Sequence, residues 1–299
     1  MSSKLKKCLY LIDLLSRRGA MSLKEINEHY AYSSIYDGEI QARTFARYKE
    51  FIEQNFPCSI EYDSKKRVYV LTRDNLYGDD DALYDYLLSA YHIEGMSELA
   101  IKHHDKVRLL SAPTGVENVQ IVLEAIDQNR GLLCDYYSFN KETKKEHRLI
   151  PYFLKTWEQR WYLVAEADNH HHRLSVFALE RMDNIRLTDE KVTLSNDVTV
   201  DEYFDKCFGV NHSDDPEAVR LVLKVYGSQA EYVRALPIHE SQREIKTTKE
   251  YAVFEYNIKP CYNLYQQLLW HRERVEVLEP SSMRDEMKSI VKKMGKMYK

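Results

Sequence analysis

The spacing of the apolar residues changes near Leu132, and this change constrains the fold more than any other feature of the sequence. In most of the chain before Leu132, apolar residues recur at steps of three and four, which is the pattern of amphipathic helices. After it, short runs rich in aromatic and β-branched residues alternate and turn, which is typical of β-strands. Because 299 residues exceed the usual size of one domain, the two patterns predict a multidomain α+β protein.

The N-terminal part predicts three helices and a hairpin. Helical spacing places the helices at about residues 4–17, 22–30 and 40–55. The second begins with a capping box, in which the Ser22 hydroxyl and the Glu25 carboxylate satisfy the first free backbone amides. Residues 59–71 alternate on either side of a basic turn, which indicates a β-hairpin. Three helices and a basic hairpin predict a winged helix-turn-helix over residues 1–73.

The positive charge of the chain is concentrated in this N-terminal part. The whole chain has a net charge of −4, whereas residues 1–73 carry 13 Lys and Arg against 9 Asp and Glu, a net charge of +4. A DNA-binding domain needs its cations where it meets the phosphates. The distribution therefore favours binding of double-stranded DNA by the N-terminal part.

The third helix is predicted to enter the major groove. Arg43 and Arg47 lie one turn apart, opposite the apolar Phe45, where they reach guanine edges or phosphates. Polar neighbours and the hairpin tip complete the predicted DNA-binding set, which is Gln41, Arg43, Thr44, Arg47, Lys65, Lys66 and Arg67. The alternative interpretation is that the two arginines only solvate an exposed helix.

The remaining regions are assigned by pattern. Residues 74–130 predict a helical connector without visible chemistry. Residues 131–205 contain short strands close together, which predict a small β-barrel, and a linker follows up to residue 216. Residues 217–299 follow the order β-α-β-β-α-β with an added helix, which predicts a ferredoxin-like domain.

Several segments of the strand region form a recognisable pattern. These are Ile150-Pro151-Tyr152-Phe153-Leu154, Trp161-Tyr162-Leu163, Arg173, and residues 177–185. The pattern closely resembles the signature of the WYL-domain family of bacterial transcriptional regulators. Residues 43–49 are similar to the recognition helix of the same regulators, and the tail resembles their C-terminal extension domain. Arg160 and Glu180 depart from the commonest pattern.

The resemblance implies an Sm-like, SH3-type barrel that binds a nucleotide or single-stranded nucleic acid effector and alters how a homodimeric head engages an operator. The matching effector-binding positions are Tyr137 or Tyr136, Ser138, Arg148, Tyr152, Trp161, Tyr162, Arg173 and Arg181. Guanidinium groups bind phosphate oxygens and aromatic rings stack on bases, so these residue types suit an anionic effector. The alternatives are that Trp161 and Leu163 fill the barrel core and that the arginines form surface ion pairs.

Enzymatic function has little support in the sequence. It contains no nucleophile-elbow, P-loop or zinc-protease motif, and nine glycines offer few loops that cradle phosphates. The histidines at 103–104 and 170–172 are more simply exposed surface than metal ligands. The five cysteines are scattered, without the spacing of a disulfide framework or a zinc site. We therefore expect no enzyme activity, no metal and no cofactor.

The expected location is the cytoplasm, in association with the nucleoid and not with a membrane. No apolar stretch approaches the length that crosses a bilayer, and the first residues lack the pattern of a signal peptide.

Two alternatives to a regulator are open. The chain is either an adaptor that binds RNA or single strands through the Sm-like barrel without operator recognition, or a constitutive dimer whose barrel is only structural. The dimer is implied by the family and by two-fold operator symmetry, since no heptad pattern is present.

Overall fold

The computed structural model divides into two compact units, Met1–Leu110 and Ser111–Lys299. It describes residues 2–73, 80–103, 105–106, 115–139, 141–167, 173–194, 198–210 and 217–298. His104, the histidines at 170–172 and linker residues 211–216, to which the sequence analysis gave an interpretation, lie outside the described residues. Among the helices of the described residues, none is long and apolar enough to cross a membrane.

The first unit contains three helices, a hairpin and a fourth helix. Their bounds are α1 Ser3–Arg18, α2 Leu23–Tyr30, α3 Ala42–Asn55, β1 Cys58–Asp63, β2 Val68–Arg73 and α4 Asp80–Lys102. The predicted capping box of α2 is confirmed, because the Ser22 hydroxyl accepts from the Glu25 amide at 3.3 Å and a Glu25 carboxylate oxygen accepts from the Ser22 amide at 2.7 Å. The order of helices and hairpin is the one predicted from the sequence.

Helix α1 lies at the centre of this unit. Its residues from Cys8 to Leu15 are all buried, including the charged Asp13. Tyr84 of α4 is 2% exposed and belongs to the same core as Phe45 of α3. Asp13 accepts from Arg17 and lies 3.0 Å from Nε2 of His92 on α4. Helix α4 therefore folds onto the three-helix head, and the head extends beyond the hairpin.

The second unit begins with a helix and a five-stranded antiparallel sheet. The bounds are α5 Val119–Asp127, β3 Arg130–Ser138, β4 Thr143–Trp157, β5 Arg160–Ala167, β6 Leu174–Ala178 and β7 Met182–Lys191. The strand order is β6-β5-β4-β3-β7, with the long β4 pairing first with β3 and then with β5. Strand β7 was not predicted, because five of its ten residues are charged and give little alternation.

The sheet has an inner face that packs on α5. Alternate residues such as Leu132, Cys134 and Leu149 point to it and are buried together with Val122 of α5. The edge strands β6 and β7 are joined by a 3-10 turn, Leu179–Arg181, and do not pair with each other within the described residues. The predicted barrel is thus not closed by backbone hydrogen bonds in this part of the chain.

The rest of the second unit contains a short helix and a four-stranded sheet. The bounds are α6 Val200–Phe204, β8 Val219–Tyr226, α7 Gln229–Ala235, β9 Arg243–Thr247, β10 Tyr251–Ile258, α8 Tyr262–Trp270, β11 Val275–Glu279 and α9 Ser281–Met297. The strand order is β11-β8-β10-β9, and all neighbours are antiparallel. From β8 onward, the elements follow the order that the sequence predicted.

Candidate functional site

The exposed face of α3 presents two arginines to solvent. Phe45 and Ile52 bury the opposite face, which leaves Arg43 and Arg47 exposed one turn apart. Neither arginine forms an ion pair within the part of the chain that the structure describes. Their guanidinium groups are therefore available to an external anion.

Two polar residues flank these arginines on α3. Gln41 stands at the N-cap position, where it is exposed and makes no capping hydrogen bond to this helix. Thr44 is half-buried and lines, with Arg47 and Lys4, a shallow groove of about 500 Å³ beside the helix. All four residues predicted on the third helix thus lie at or beside its solvent face.

The hairpin tip forms a second basic surface. Lys65, Lys66 and Arg67 are exposed in the turn between β1 and β2, and no ion pair within the described residues involves them. The backbone amides of Lys65 and Lys66 donate to Oδ1 of Asp63 at 2.9 and 3.1 Å, which shapes the turn. Arg67 adopts a positive φ of 56°, so the chain reverses sharply there.

Aromatic and backbone contacts fix the hairpin against α3. The rings of Phe45 and Tyr69 lie 4.6 Å apart, and Nζ of Lys49 lies 5.4 Å from the Tyr69 ring. The backbones of Met21 and Tyr69 exchange two hydrogen bonds, of 3.0 and 2.7 Å, which add the segment before α2 to the hairpin. The cations of α3 and of the hairpin tip are therefore held in one arrangement, which the sequence patterns alone did not reveal.

In the second unit, Arg181 lies against aromatic rings at the end of β3. Its Cζ is 4.6 Å from the centre of the Phe139 ring and 5.1 Å from that of Tyr136. The Tyr137 ring contacts Phe139 at 5.8 Å, and Ser138 stands between them in sequence. We call Tyr136, Tyr137, Phe139 and Arg181 the arginine–aromatic cluster.

The cluster combines buried and exposed groups. Tyr136 is 8% exposed, and burial raises its pKa while the neighbouring Arg181 opposes the shift. Phe139 is 59% exposed and Tyr137 is 39% exposed, so both offer ring surface to a ligand. The buried Nε of Arg181 has no hydrogen-bond partner among the described residues. A planar, anionic molecule could stack on the rings and accept from this guanidinium.

Glu180 links the same turn to the β4–β5 hairpin. Its Oε1 lies 3.5 Å from Nη1 of Arg160, while its buried Oε2 has no hydrogen-bond partner in the described part of the chain. These are the two positions at which the sequence departs from the commonest family pattern, and the structure places them in contact.

Arg148, which we predicted to bind the effector, lies on the opposite face of the sheet. Its neighbour Leu149 points to the inner face, so the Arg148 side chain points outward, where Nη2 lies 2.5 Å from Oε2 of Glu190. Arg186 and Glu146 form a parallel ion pair at 3.2 Å on the same outer face. Arg148 therefore belongs to a surface ladder of charges.

The structure also separates the other predicted effector residues from the cluster. Tyr152 is 6% exposed, and its hydroxyl contacts Oε2 of Glu166 at 3.4 Å. Arg173 is exposed just before β6 and so lies at the opposite end of that strand from Arg181. It lies near Tyr203, whose pKa burial raises to about 12 while the arginine opposes the rise.

The signature triplet is part of strand β5. Leu163 is fully buried, and Trp161 is half-buried against the same core, as expected for two side chains on one strand face. Tyr162 alternates to the other face, is half-buried and pairs with Ala178. Trp161 and Leu163 therefore fill the core, and Tyr162 lies outside it.

Two residues of this region were missed in the sequence. Phe139 follows Tyr137 by two residues, so strand alternation would have placed both rings on one side. Asn118, whose side chain holds the Arg181 turn, had no local signal, because its partners are about sixty residues away in the chain. Within the described residues, no group of three or more His, Cys, Asp or Glu side chains could hold a metal ion.

Comparison with known proteins identifies two domain families in the second unit. Residues 117–187 match the WYL domain model, and residues 217–295 match the WCX domain model. The first match spans α5 and nearly all of the five-stranded sheet, and the second spans the four-stranded sheet with its helices. Among curated proteins, no relative matches the sequence.

Two examples illustrate the solved structures in which the chain follows a similar course. One is proteasome accessory factor B/C (PafBC) of Arthrobacter aurescens, at 16% identity and a TM-score of 0.35, with 96% of this chain covering 46% of that one. The other is a CRISPR Cas-related protein, at 14% identity and a TM-score of 0.42, with 99% of this chain covering 84% of that one. This chain thus spans about half the length of PafBC. At these TM-scores the likeness carries no argument about function.

Proposed function

Because this chain belongs to the WYL-domain family, with a WYL domain followed by a WCX domain, we propose that it is a DNA-binding transcriptional regulator controlled by an anionic effector. In this proposal, residues 1–73 form a winged helix-turn-helix head and residues 74–130 connect it to the WYL domain at 131–205. The WYL domain has the Sm-like, SH3-type architecture, and the WCX domain at 217–299 is ferredoxin-like. The protein acts as a homodimer on the nucleoid in the cytoplasm and catalyses no reaction.

The observation that carries the DNA-binding proposal is the exposure of Arg43 and Arg47 on α3. A surface helix that is only solvated usually balances its cations with nearby carboxylates, whereas these two have no ion-pair partner within the described residues. They lie opposite the buried Phe45, on a helix of 14 residues that suits the major groove. The basic hairpin tip, fixed to α3 through Tyr69, supplies the phosphate contacts that position the helix.

The effector proposal rests on the arginine–aromatic cluster. Its guanidinium binds phosphate oxygens, and its exposed rings of Phe139 and Tyr137 stack on bases. The effector is accordingly a nucleotide or a short single-stranded nucleic acid. We place Arg181, Tyr137 and Ser138 at this site, whereas Arg148 and Tyr152 support the sheet through Glu190 and Glu166.

A mobility-shift titration on the duplex upstream of the gene tests the DNA-binding proposal. We expect specific binding by the wild type and its loss in Arg43→Ala and Arg47→Ala, at a cost of about 1–3 kcal/mol for each base contact. Arg272→Ala is the matched control, because Arg272 is 81% exposed and also removes one positive charge.

The same titration, repeated with short single-stranded oligonucleotides, tests the effector. A shift of operator affinity in the wild type that is absent in Arg181→Ala supports sensing. If the protein binds single strands through Arg181 but binds no duplex, the head does not read an operator, and the protein is a single-strand-binding adaptor instead.

A further inference from the structure

The turn that carries Arg181 is held by one side chain from outside the sheet. Nδ2 of Asn118 donates to the carbonyl of Leu179 at 3.1 Å and to the carbonyl of Met182 at 3.3 Å. These two carbonyls flank the 3-10 turn Leu179–Arg181. A single amide therefore spans the turn and resists any change in its shape.

Gly115 brings a second backbone into direct contact with the same turn. A Cβ at position 115 would lie 2.5 Å from the amide nitrogen of Glu180 and 2.9 Å from the carbonyl carbon of Leu179. Gly115 also has a φ of 97°, which L side chains rarely adopt. Only glycine allows this approach, so the segment 115–118 and the Arg181 turn pack backbone against backbone.

The segment 115–118 is itself well ordered by short contacts. The amide of Asn118 donates to the carbonyl of Gly115 at 3.1 Å, and the amide of Gly115 donates to Oε2 of Glu117 at 3.0 Å. Asn118 immediately precedes α5, yet its side chain makes no capping hydrogen bond to that helix. Asparagine is among the preferred N-cap residues, so here its side chain serves the turn and not its own helix.

The position of this segment in the chain gives the contact its meaning. Residues 115–118 lie near the start of the second unit, directly after the part of the chain that follows the DNA-binding unit. On the other side of the turn, Glu180 contacts Arg160, and Arg181 itself belongs to the arginine–aromatic cluster. A ligand that draws the Arg181 guanidinium toward itself must therefore move the turn against Asn118.

We propose that Asn118 is the positioning residue that couples effector binding at Arg181 to the affinity of the head for its operator. This inference rests on the proposed function. The two hydrogen bonds of Asn118 and the backbone contact at Gly115 make the turn and the start of α5 move together. Packed elements of this kind shift between discrete arrangements and do not deform gradually, which is how small displacements at a ligand site are amplified.

The test measures coupling separately from binding. The probes are a fluorescent operator duplex and a short single-stranded DNA oligonucleotide, used with the wild type, Asn118→Ala and the nearly isosteric Asn118→Asp, which cannot donate. Gln120→Ala is the matched control, because Gln120 is an exposed amide on α5 whose Nε2 bonds Glu124 at 2.9 Å and leaves the turn untouched. Three quantities are measured, namely operator affinity alone, oligonucleotide affinity, and operator affinity at saturating oligonucleotide.

We expect the wild type and Gln120→Ala to change operator affinity by about 5- to 150-fold when saturated with oligonucleotide, which is the usual range of allosteric coupling. Both Asn118 variants should bind the operator alone within about twofold of the wild type, and their operator affinity should no longer respond to the oligonucleotide. A purely structural role for Asn118 would weaken all three quantities together.

Two results would overturn the inference, and they differ in what they leave standing. If the Asn118 variants keep the full response, the coupling runs elsewhere while the proposed function stands. If the wild type binds the operator but does not respond to any oligonucleotide, the effector proposal and the coupling fail together. Hydrogen exchange of the wild type gives a check without variants, because oligonucleotide binding should change the protection of amides 116–120, and unchanged protection overturns the inference.

Discussion

Arg148 and Arg181 lie on opposite faces of the five-stranded sheet. Arg181 packs on Tyr136, whose neighbours in alternation are buried on the inner face, whereas Arg148 points outward and pairs with Glu190 at 2.5 Å. One small ligand cannot contact both guanidinium groups. The sheet therefore assigns an effector-binding role to one arginine and a structural role to the other.

This separation predicts different effects of two arginine substitutions. Arg181→Ala should weaken binding of a labelled single-stranded oligonucleotide by about tenfold to hundredfold, since a hydrogen bond to a charged group contributes about 1.5–3 kcal/mol. Arg148→Ala should leave it within about twofold, because a half-exposed ion pair contributes at most about 1 kcal/mol and none of it to the ligand. Fluorescence anisotropy measures both, and equal losses would contradict the assignment.

Phe139 is predicted to be a stacking platform. Its ring is 59% exposed and lies beside the Arg181 guanidinium, so Phe139→Ala should cost about 1–3 kcal/mol of oligonucleotide affinity. Phe139→Tyr keeps the ring and should bind like the wild type. Tyr232→Ala removes a 68% exposed ring from the WCX domain and is the control. A Phe139→Ala variant with unchanged affinity would show that the ring only covers Arg181.

The hairpin tip is predicted to contact DNA phosphates without reading sequence. Replacing Lys65, Lys66 and Arg67 together with alanine should weaken specific and nonspecific duplexes alike. The slope of log affinity against log salt should become shallower by about 0.9 for each phosphate that the variant no longer neutralises. The control replaces Lys288, Lys292 and Lys293, three exposed cations of α9. An unchanged salt slope in the hairpin variant would argue that the tip does not meet the DNA.

Acid is predicted to destabilise the WCX domain through His271. This histidine is 7% exposed and lies near the amides of Gln229 and Gln267, and burial lowers its pKa below the ordinary value of 6.5. Since the unfolded chain then binds the proton more readily, the contribution of His271 is complete above the unfolded pKa and is lost as the pH falls below it. His239, also partly buried with a lowered pKa, acts in the same direction.

Calorimetry at several pH values measures this effect. Between about pH 7.5 and 5.5, the wild type should lose more thermal stability than His271→Gln, which cannot titrate. His29 lies outside the WCX domain, so His29→Gln should follow the wild type. A variant that loses as much stability as the wild type would exclude His271 as the source.

The buried carboxylate of Asp13 is predicted to stabilise the packing of α4 on the head. Asp13→Ala leaves His92 and Arg17 without their acceptor and should lower the stability of the first unit by about 1–3 kcal/mol. Asp85 is exposed on α4, so Asp85→Ala is the matched control and should change stability little. Calorimetry that found the two variants equally stable would contradict a role for the carboxylate.

Much of the local structure was predictable from the sequence because its causes are local. The capping box at Ser22 and Glu25 and the helical spacing of α1 to α3 are short-range features, and the structure has the same elements at nearly the same bounds. The WYL and WCX matches agree with the signature around Trp161 and with the order of elements in the tail. The DNA-binding and effector roles of the named residues stay predictions.

Only the tertiary structure decided which of the candidate residues meet. Arg148 and Arg181 are equivalent in composition, and the pairing of β4 with β3 and β7 sends one to a charge ladder while the 3-10 turn brings the other to Phe139. Asn118 contacts carbonyls about sixty residues away, which no periodicity encodes. Local interactions determine where helices and strands begin and end, whereas long-range pairing determines which side chains share a surface, and the effector site depends on the second.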